Sequence, residues 1–349
     1  MTNHSDYFPT RYWHALGHND ENKPRVQCDV CPRGCTLKDG QRGLCFVRMN
    51  HGDAVVLTTY GRSSGFAVDP VEKKPLNHFL PGTSILSFGT AGCNLTCKFC
   101  QNWHMSKANR MDKLMARASP VEVLGMAERH NCKSVAYTYN DPVIFMEYAM
   151  DIARVCRARG ILSVAVTAGY IHGEARKAFF AEMDAANVDL KAFTAGFYKK
   201  FCSGQLQSVL DTLEYLKHKT RIWFELTTLL IPSLNDSDKE LDAETRWVVE
   251  NLGPDVPMHF TAFHPDYRMR GIPPTPLATL RRAREIAMGN GVRYAYTGNV
   301  HDTEGQSTYC HQCGTRLIGR NRYSLTAGNL TKTGDCAKCG TRCGGVFGS

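Results

Sequence analysis

Strand-like and helix-like patterns alternate through the middle of this chain of 349 residues. Seven short runs of β-branched and aromatic residues predict strands, at 84–88, 134–139, 161–167, 188–193, 222–230, 258–263 and 292–297. Six longer segments with helical periodicity lie between them, at 120–131, 143–159, 173–186, 206–219, 237–251 and 276–290. Such alternation is typical of a parallel sheet built from right-handed βαβ units. Seven strands and six helices fit a partial or full (β/α) barrel or a doubly wound sheet.

In either fold the active site lies at the carboxyl ends of the strands. The residues that follow the strand-like runs are mostly polar, Gly or Pro, as loop positions should be. These segments are 89–100, 140–142, 167–170, 189–191, 232–235, 264–267 and 298–301.

Composition narrows the class of protein. The chain is 43% hydrophobic and 21% charged, which is typical of a globular protein. No run of about 18 uncharged apolar residues is present, so we expect no contact with a membrane. Residues 1–20 lack the apolar core of a secretory signal, which predicts a cytoplasmic protein. The net charge is +9, but the basic residues are dispersed, so a solvated surface is favoured over a nucleic-acid partner.

The fifteen cysteines are clustered. Four lie between Cys28 and Cys45, three between Cys93 and Cys100, and five in the last 40 residues. Disulfides are disfavoured in the cytosol, so metal binding is the better interpretation. The isolated Cys132, Cys156 and Cys202 lie in apolar or helical contexts and are interpreted as small core residues.

The central cluster has the spacing C-x3-C-x2-C, at Cys93, Cys97 and Cys100, directly after the first predicted strand. Three thiolates suit three irons of a [4Fe–4S] cluster and leave the fourth iron open. A zinc site with a distant fourth ligand is the alternative. Gly92 before the first cysteine, Phe99 before the last, and the position after a strand all favour the iron–sulfur cluster.

This spacing with an aromatic residue before the last cysteine resembles the signature of radical S-adenosylmethionine (SAM) enzymes. The wider sequence is similar to one subgroup, the AmmeMemoRadiSam radical SAM proteins, which are related to pyruvate formate-lyase activating enzymes. The matching stretches are Cys-Pro-Arg-Gly-Cys at 31–35, Glu-Lys-Lys-Pro-Leu at 72–76, Cys-Gln-Asn-Trp at 100–103, Tyr-Thr-Tyr-Asn at 137–140, Asp-Leu-Lys at 189–191, Leu-Ile-Pro-Ser-Leu-Asn at 230–235, His-Pro-Asp at 264–266 and Tyr-Thr-Gly-Asn-Val at 296–300.

The resemblance implies an α/β fold, a partial (β/α)6 barrel like a TIM barrel, with one catalytic cluster that cleaves SAM. A 5′-deoxyadenosyl radical would then abstract hydrogen from a protein or small-molecule substrate. An electron donor of the flavodoxin or ferredoxin type is implied as a partner. A different class of protein, in which all cysteines bind zinc and the chain is a nucleic-acid-binding or scaffolding protein, is the alternative.

The resemblance also suggests residues that contact SAM. Asn140 and Asp141 stand where the family carries a Gly-Gly-Glu-like turn, although both glycines are absent here. Their side-chain oxygens can accept from the SAM ammonium. The same residues before Pro142 are also a common helix start, and both interpretations can hold together.

Further candidates are spread along the chain. Asp189 and Lys191 match an Asp-x-Lys motif, and alternation along a strand places both on one face. A buried ion pair without a ligand is the alternative, but such a pair is costly. Phe99, Thr167 and His264 complete the predicted cofactor site, each at or near a strand end.

The two outer clusters predict further metal sites. Cys28, Cys31, Cys35 and Cys45 suit either zinc, which their spacing slightly favours, or an accessory iron–sulfur cluster that relays electrons. Cys310, Cys313, Cys336 and Cys339 form two C-x2-C-G-T knuckles, a zinc-ribbon or rubredoxin-like site for zinc or iron, with Cys343 left over. We therefore expect a Cys-rich segment at 1–80, the barrel at 81–304 and a metal-stabilised tail at 305–349.

Overall fold

The computed structural model describes residues 7–18, 24–107 and 116–348. The amino-terminal part consists of short antiparallel strands. These are β1 (Phe8–Pro9), β2 (Trp13–His18), β3 (Pro24–Cys28), β4 (Thr36–Lys38), β5 (Arg48–His51), β6 (Ala54–Leu57) and β7 (Arg62–Ser63). They form two three-stranded sheets, β1–β6–β5 and β2–β3–β4, while β7 pairs with the two-residue β10 (Ala116–Arg117).

A larger, eight-stranded sheet forms the centre of the molecule. Its strands are β8 (Phe66–Pro70), β9 (Ser84–Phe88), β11 (Ser134–Tyr137), β12 (Leu162–Thr167), β13 (Ala185–Asp189), β14 (Trp223–Leu230), β15 (Met258–Ala262) and β16 (Ala295–Gly298). The strand order follows the sequence, and all neighbours are parallel except β8, which is antiparallel to β9 with Phe66 opposite Phe88. Within the described residues the two edge strands β8 and β16 do not pair, so the architecture is a partial (β/α) barrel.

Nine α-helices are present in the described ranges. They are α1 (Trp103–Ser106), α2 (Pro120–Arg129), α3 (Met146–Arg157), α4 (Gly173–Ala181), α5 (Ala195–Phe197), α6 (Leu206–Lys219), α7 (Asp238–Leu252), α8 (Leu277–Gly289) and α9 (Thr303–Gln306). The six longer ones connect consecutive parallel strands, as expected. Local signals explain their starts: α2 begins with a complete capping box between Ser119 and Glu122 and with Pro120 as its first residue.

The sheet agrees with the expected strands at six of seven positions, and one strand is displaced. The fourth expected strand, 188–193, lies instead at Ala185–Asp189, and the helix expected to continue to residue 186 ends at Ala181. Ala185 and Ala186 favour a helix locally, but both are fully buried between β12 and β14. Here packing in the centre of a parallel sheet outweighs the helix propensity of alanine.

The carboxy-terminal tail forms a small sheet that packs beside β16. Its strands are β17 (Thr308–Tyr309), β18 (Arg316–Asn321) and β19 (Ser324–Thr326), in the order β17–β18–β19. The buried Arg320 donates from Nη2 to the carbonyl oxygen of Asn77 at 2.6 Å, and the backbone of Val346 pairs with that of His78. The tail is therefore attached to the barrel through the segment between β8 and β9. None of the described helices is long and apolar enough to cross a membrane.

Candidate active site

The three central cysteines lie on the loop that follows β9. Cys93, Cys97 and Cys100 all line one cavity of about 380 Å³ at the carboxyl ends of the parallel strands. The loop is held by contacts with distant segments: Asn94 donates to the carbonyl oxygen of Tyr170 at 2.8 Å. Parallel strands thus bring the cysteine loop to the edge where the other strand ends meet.

The surroundings of these thiols disfavour a bare thiolate. Burial raises the pKa of Cys93 to about 12 and also raises the pKa of Cys100. The pKa of Cys97 lies well above its usual value, first because of a hydrogen bond with Cys202 and then because of burial. The isolated Cys202 is therefore a neighbour of the cluster loop, which its sequence context did not indicate. Deprotonation of all three thiols requires a metal centre as counter-charge.

The spacing of the three thiols fits an iron–sulfur cube. Among the described residues, only the group at 310–339 brings three or more possible metal ligands within 4.8 Å of one another. The three central thiols are thus spread more widely than the ligands of a single tetrahedral ion, whose sulfurs stand about 3.8 Å apart. Three soft thiolates around one cavity suit three corners of a [4Fe–4S] cluster.

Asn140 supports the cluster loop. Its Oδ1 accepts from the backbone N–H of Thr90 at 3.1 Å, and its Nδ2 donates to the carbonyl oxygen of Gly92 at 2.9 Å. Although Asn140 lines the cavity, its amide is engaged by the loop just before Cys93. The residue therefore positions the loop, and the predicted contact with the SAM ammonium remains a prediction.

Asp141 joins two strand ends. Its buried carboxylate caps the turn that begins at Pro142 by accepting from Val143 N–H, and it also accepts from Thr167 Oγ1 at 2.8 Å and Ala168 N–H at 3.1 Å. Burial raises the pKa of Asp141 despite these bonds. The helix-start interpretation thus holds, and the same side chain lines the cavity.

Asp189 and Lys191 form an ion pair at the wall of the same cavity. Lys191 Nζ lies 2.8 Å from Asp189 Oδ2. Burial lowers the pKa of Lys191, but the charges of Asp189 and of the nearby Cys97 and Cys202 outweigh it and hold the pKa well above its usual value. The ammonium is therefore a permanent cation beside the cysteines, suited to a carboxylate or ribose ligand.

Of the other predicted residues, Phe99 and Thr167 also line this cavity, whereas His264 does not. Phe99 is almost fully buried and packs against Phe197 at 5.6 Å between ring centroids. His264 is exposed and lines a second cavity of about 780 Å³ next to the first. His264 is thus the one predicted cofactor residue that lies outside the cavity of the three cysteines. The residues inside it are Phe99, Asn140, Asp141, Thr167, Asp189 and Lys191.

The amino-terminal cysteines face a common pocket beside the cluster loop. Cys28, Cys31, Cys35 and Cys45 line it together with Arg48 and Asn94. Burial raises the pKa of Cys45 to about 12. No three of these thiols lie within 4.8 Å of one another, so they too are spread more widely than the ligands of one zinc ion.

Arg48 adds a second feature of that pocket. Its side chain is 2% exposed, and it pairs with Glu147 through two hydrogen bonds of 2.6 and 3.1 Å, while its Nε has no hydrogen-bond partner. Burial raises the pKa of Cys28, and the positive charge of Arg48 offsets part of this rise. A buried cation with a free N–H beside four thiols suits an anionic metal–thiolate centre.

The carboxy-terminal cysteines form a compact tetrad. Cys310 and Cys339 sulfurs lie 3.6 Å apart, those of Cys313 and Cys336 lie 3.7 Å apart, and all four are within 4.8 Å of one another. Gly314 and Gly340 have φ values of +69° and +73°, as expected for the two knuckles. This geometry fits a single tetrahedral ion. Cys343 lies outside the tetrad, with its sulfur 3.7 Å from His78 Nδ1.

Comparison with known proteins places this site in a family. A model of the radical SAM superfamily matches residues 88–244, which include the three central cysteines. The chain is also 40% identical over 324 residues to the uncharacterized protein MJ0808 of Methanocaldococcus jannaschii, an alignment that covers 93% of this chain and 96% of that protein. The chain belongs to the radical SAM superfamily. As a radical SAM enzyme it uses a [4Fe–4S] cluster and SAM, whose reductive cleavage gives a 5′-deoxyadenosyl radical that abstracts hydrogen from a substrate.

Two further similarities agree with this assignment. MJ1632 of the same organism, whose name marks it as a candidate glycyl-radical enzyme activating enzyme, is 24% identical over 154 residues, or 43% of this chain and 57% of that protein. A radical SAM methyltransferase from Sphaerobacter thermophilus shares the fold, with a TM-score of 0.50 and 13% identity over 84% of this chain and 77% of that one. The comparisons give no support to a zinc-binding scaffold or nucleic-acid-binding protein.

Proposed function

We propose that Cys93, Cys97 and Cys100 hold the catalytic cluster, that SAM occupies the cavity they line, and that hydrogen is abstracted from a small molecule in the adjoining 780 Å³ cavity. One observation carries the proposal. The three thiols share a single cavity with Asp141, Thr167, Asp189 and Lys191, which come from the ends of separate strands. The cluster would supply the electron for SAM cleavage, and the strand ends would fix the position of SAM.

The chain's own residues have distinct roles in this proposal. Lys191 holds the SAM carboxylate or ribose as a permanent cation, and Asp189 orients its ammonium through the 2.8 Å contact. Phe99 excludes water from the cluster side of the cavity, because it is nearly fully buried there. Asn140 keeps the loop before Cys93 in place.

A protein substrate is the second candidate. The similarity to MJ1632, named as a candidate activating enzyme of glycyl-radical enzymes, favours it. The two candidates differ in one assay: a pool of metabolites of low molecular mass should accelerate SAM cleavage if the substrate is small, and should not if a protein is required.

The test of the proposed function uses anaerobically reconstituted protein with SAM and dithionite. Wild-type protein should bind iron and form 5′-deoxyadenosine, measured by mass spectrometry, and Cys97→Ala should lose the product and about four irons per chain. Cys202→Ala is the matched control, because it removes a buried thiol in contact with Cys97 that is not a proposed ligand. Iron-loaded wild type that forms no 5′-deoxyadenosine, or Cys97→Ala with the same iron content as the wild type, would contradict the proposal.

We also infer different metals for the two outer sites. Cys28, Cys31, Cys35 and Cys45 share one pocket but do not form a compact group like that at 310–339, which supports an accessory iron–sulfur cluster, the alternative that their sequence spacing had favoured less than zinc. The site is next to the catalytic loop: a Cβ atom on Gly92 would collide with the carbonyl oxygen of Cys45. It is therefore placed to pass electrons from a donor of the flavodoxin or ferredoxin type to the catalytic cluster.

The compact tetrad at the carboxy terminus supports zinc. Metal analysis of the reconstituted wild type should then give about one zinc and more than about four irons per chain. Cys31→Ser should lower the iron content and leave the zinc. A wild type with four irons or fewer at full loading would exclude the accessory cluster.

A further inference from the structure

The second cavity adjoins the proposed SAM cavity directly. Six residues line both of them: Lys73, Pro75, Gln101, Thr261, Asn299 and Tyr323. The second cavity, which we call the side chamber, is also lined by residues of the carboxy-terminal tail, among them Arg320 and Arg322. A ligand in the side chamber would lie next to SAM without displacing it.

The wall of the side chamber carries more positive than negative charge. Lys73, Arg320 and Arg322 contribute three cations, of which Lys73 is paired with Asp69 outside the wall at 2.8 Å, while Glu72 and Asp266 contribute two anions. His259, His264 and His301 also line it, and an imidazole N–H can donate to an anion. Within the described part of the chain, Arg322 makes no ion pair. The chamber therefore favours a small anionic ligand.

His259 lies in the wall of this chamber, and the buried Glu225 lies behind it. Glu225 of β14 is fully buried, and its Oε2 lies 2.7 Å from Nε2 of His259 of β15. The carboxylate also accepts from the backbone N–H groups of Asn77 and His78 at 2.9 and 2.7 Å, and from Trp223 Nε1 at 3.1 Å. With four donors around it, the carboxylate cannot rotate, and it fixes the ring of His259.

The other ring nitrogen of His259 is free for a ligand. In the described ranges, Nδ1 of His259 has no hydrogen-bond partner, although the residue is only 5% exposed and lines the side chamber. A carboxylate bonded to one nitrogen of an imidazole selects the tautomer in which the other nitrogen can accept a proton. This is the arrangement by which a third group orients a general base.

We propose that the side chamber binds a small anionic substrate and that His259, oriented by Glu225, exchanges a proton with it. The inference rests on the proposed function, since the chamber is the space from which hydrogen would be abstracted. Nδ1 of His259 takes a proton from an O–H or N–H group of the substrate. The new N–H bond forms as the substrate bond breaks, and the electron pair of that bond remains on the substrate oxygen or nitrogen. His259 is then a catalytic residue and Glu225 a positioning residue.

Other charged and titratable groups face this pair from every side. Tyr296 of β16 stacks on His259 with ring centroids 5.1 Å apart, and His78 donates to or accepts from the Tyr296 hydroxyl. Arg320 from the tail and Glu72 from the segment after β8 lie close enough to interact electrostatically with this group of residues. Burial raises the pKa of Glu225, but the hydrogen bond and charge of His259 outweigh it and hold the pKa below its usual value.

The test is a histidine NMR titration of the reconstituted holoenzyme with SAM bound, labelled with ¹⁵N in the imidazole rings. His259 should show a protonated Nε2 and a free Nδ1 at high pH, and should gain its second proton on Nδ1. Inorganic phosphate, used as the anionic probe at millimolar concentration, should shift the His259 signals, and Arg322→Ala should weaken this response several-fold. The exposed His130, outside the chamber, is the internal reference and should not respond.

Glu225→Gln should remove the preference for the tautomer protonated on Nε2, because an amide can donate to this nitrogen as well as accept from it. If this variant fails to fold, the wild-type spectrum decides alone. The opposite tautomer, or His259 signals that do not shift when phosphate is added, would overturn the inference. If the wild type still forms 5′-deoxyadenosine in that case, the proposed function remains intact. Iron-loaded wild type without 5′-deoxyadenosine removes the proposed function, and the inference fails with it.

Discussion

Several polar residues near the cluster stabilise backbone segments rather than leaving their side chains free. The side-chain amide of Asn140 is hydrogen-bonded to the backbone of Thr90 and Gly92. The carboxylate of Asp141 accepts from three donors on two segments. Each bond of this kind contributes about 1 kcal/mol, and removing one partner in a buried site costs more. Asn140 and Asp141 therefore shape the cavity through their hydrogen bonds to the protein itself.

A residue far from the site offers a test of the electrostatics. Glu244 of α7 is fully buried, and burial raises its pKa to about 8, although Thr228 Oγ1 donates to it at 2.5 Å. Glu244 is thus protonated in the folded protein and ionises more easily in the unfolded chain. The protonated side chain therefore contributes fully to the stability of the fold below about pH 4.5, where it is protonated in both states. This contribution is lost as the pH rises towards 8, because the unfolded chain ionises first.

We predict that Glu244→Gln flattens this part of the pH profile. Between pH 5 and 8 the wild type should lose on the order of 1 kcal/mol of unfolding free energy per pH unit through this group, and the variant should not. Urea unfolding at several pH values measures the difference. The exposed Glu174→Gln is the control and should keep the wild-type slope. Identical slopes for wild type and Glu244→Gln would show that Glu244 is ionised in the folded protein.

At the scale of elements, the loop after β9 depends on close packing with the amino-terminal segment. Gly92 has a φ of +83°, and a Cβ atom there would collide with the carbonyl oxygen of Cys45. Two constraints thus coincide on one residue, a left-handed backbone and the approach of another chain segment. The glycine before the first cysteine is required by tertiary contact as well as by loop conformation.

Gly92→Ala should therefore displace the cluster loop. We expect the variant to bind less than half the iron of the wild type after reconstitution and to unfold at lower temperature, since strain of about 1–3 kcal/mol is introduced. Gly271→Ala is the matched control, because its φ is not positive and no atom lies within 4 Å of its new methyl group. Iron content and unfolding temperature are measured for both variants. A Gly92→Ala protein with the iron content and unfolding temperature of the wild type would contradict the packing argument.

At the scale of the whole molecule, the tail forms part of the chamber wall. Arg320, Arg322 and Tyr323 of the tail line the side chamber, and Arg320 is bonded to the segment that carries Glu72 and Lys73. A small segment with few apolar residues depends on its metal for stability. We therefore expect a metal on the tetrad at 310–339 to act on the site through the position of the tail.

Cys336→Ser should release the metal of the tail and loosen this wall. We expect loss of the bound zinc, a lower unfolding temperature and a weaker NMR response of His259 to phosphate, with the iron of the central site retained. Cys343→Ser is the control, since Cys343 lies outside the tetrad. Zinc content and thermal unfolding give the answer. Retention of zinc by Cys336→Ser would show that another residue completes the site.

The sequence by itself determined the class of fold and singled out the cysteines that we propose hold the catalytic cluster. Period-2 and period-3.6 patterns are local properties, and they predicted six of the seven parallel strands closely and the six connecting helices. The spacing of Cys93, Cys97 and Cys100 is also local, because three cysteines on one short loop can reach a common centre. The tight C-terminal tetrad was likewise visible in its two repeated knuckles.

Only the tertiary structure decided which distant residues meet. The sequence prediction misplaced strand β13, because burial between two strands outweighed the helix propensity of Ala185 and Ala186. Glu225 and His259 lie 34 residues apart on adjacent strands, and no spacing signal connects them. Arg320 reaches the chamber from the tail. Packing and parallel register bring these groups together, and neither is a property of any short stretch of sequence.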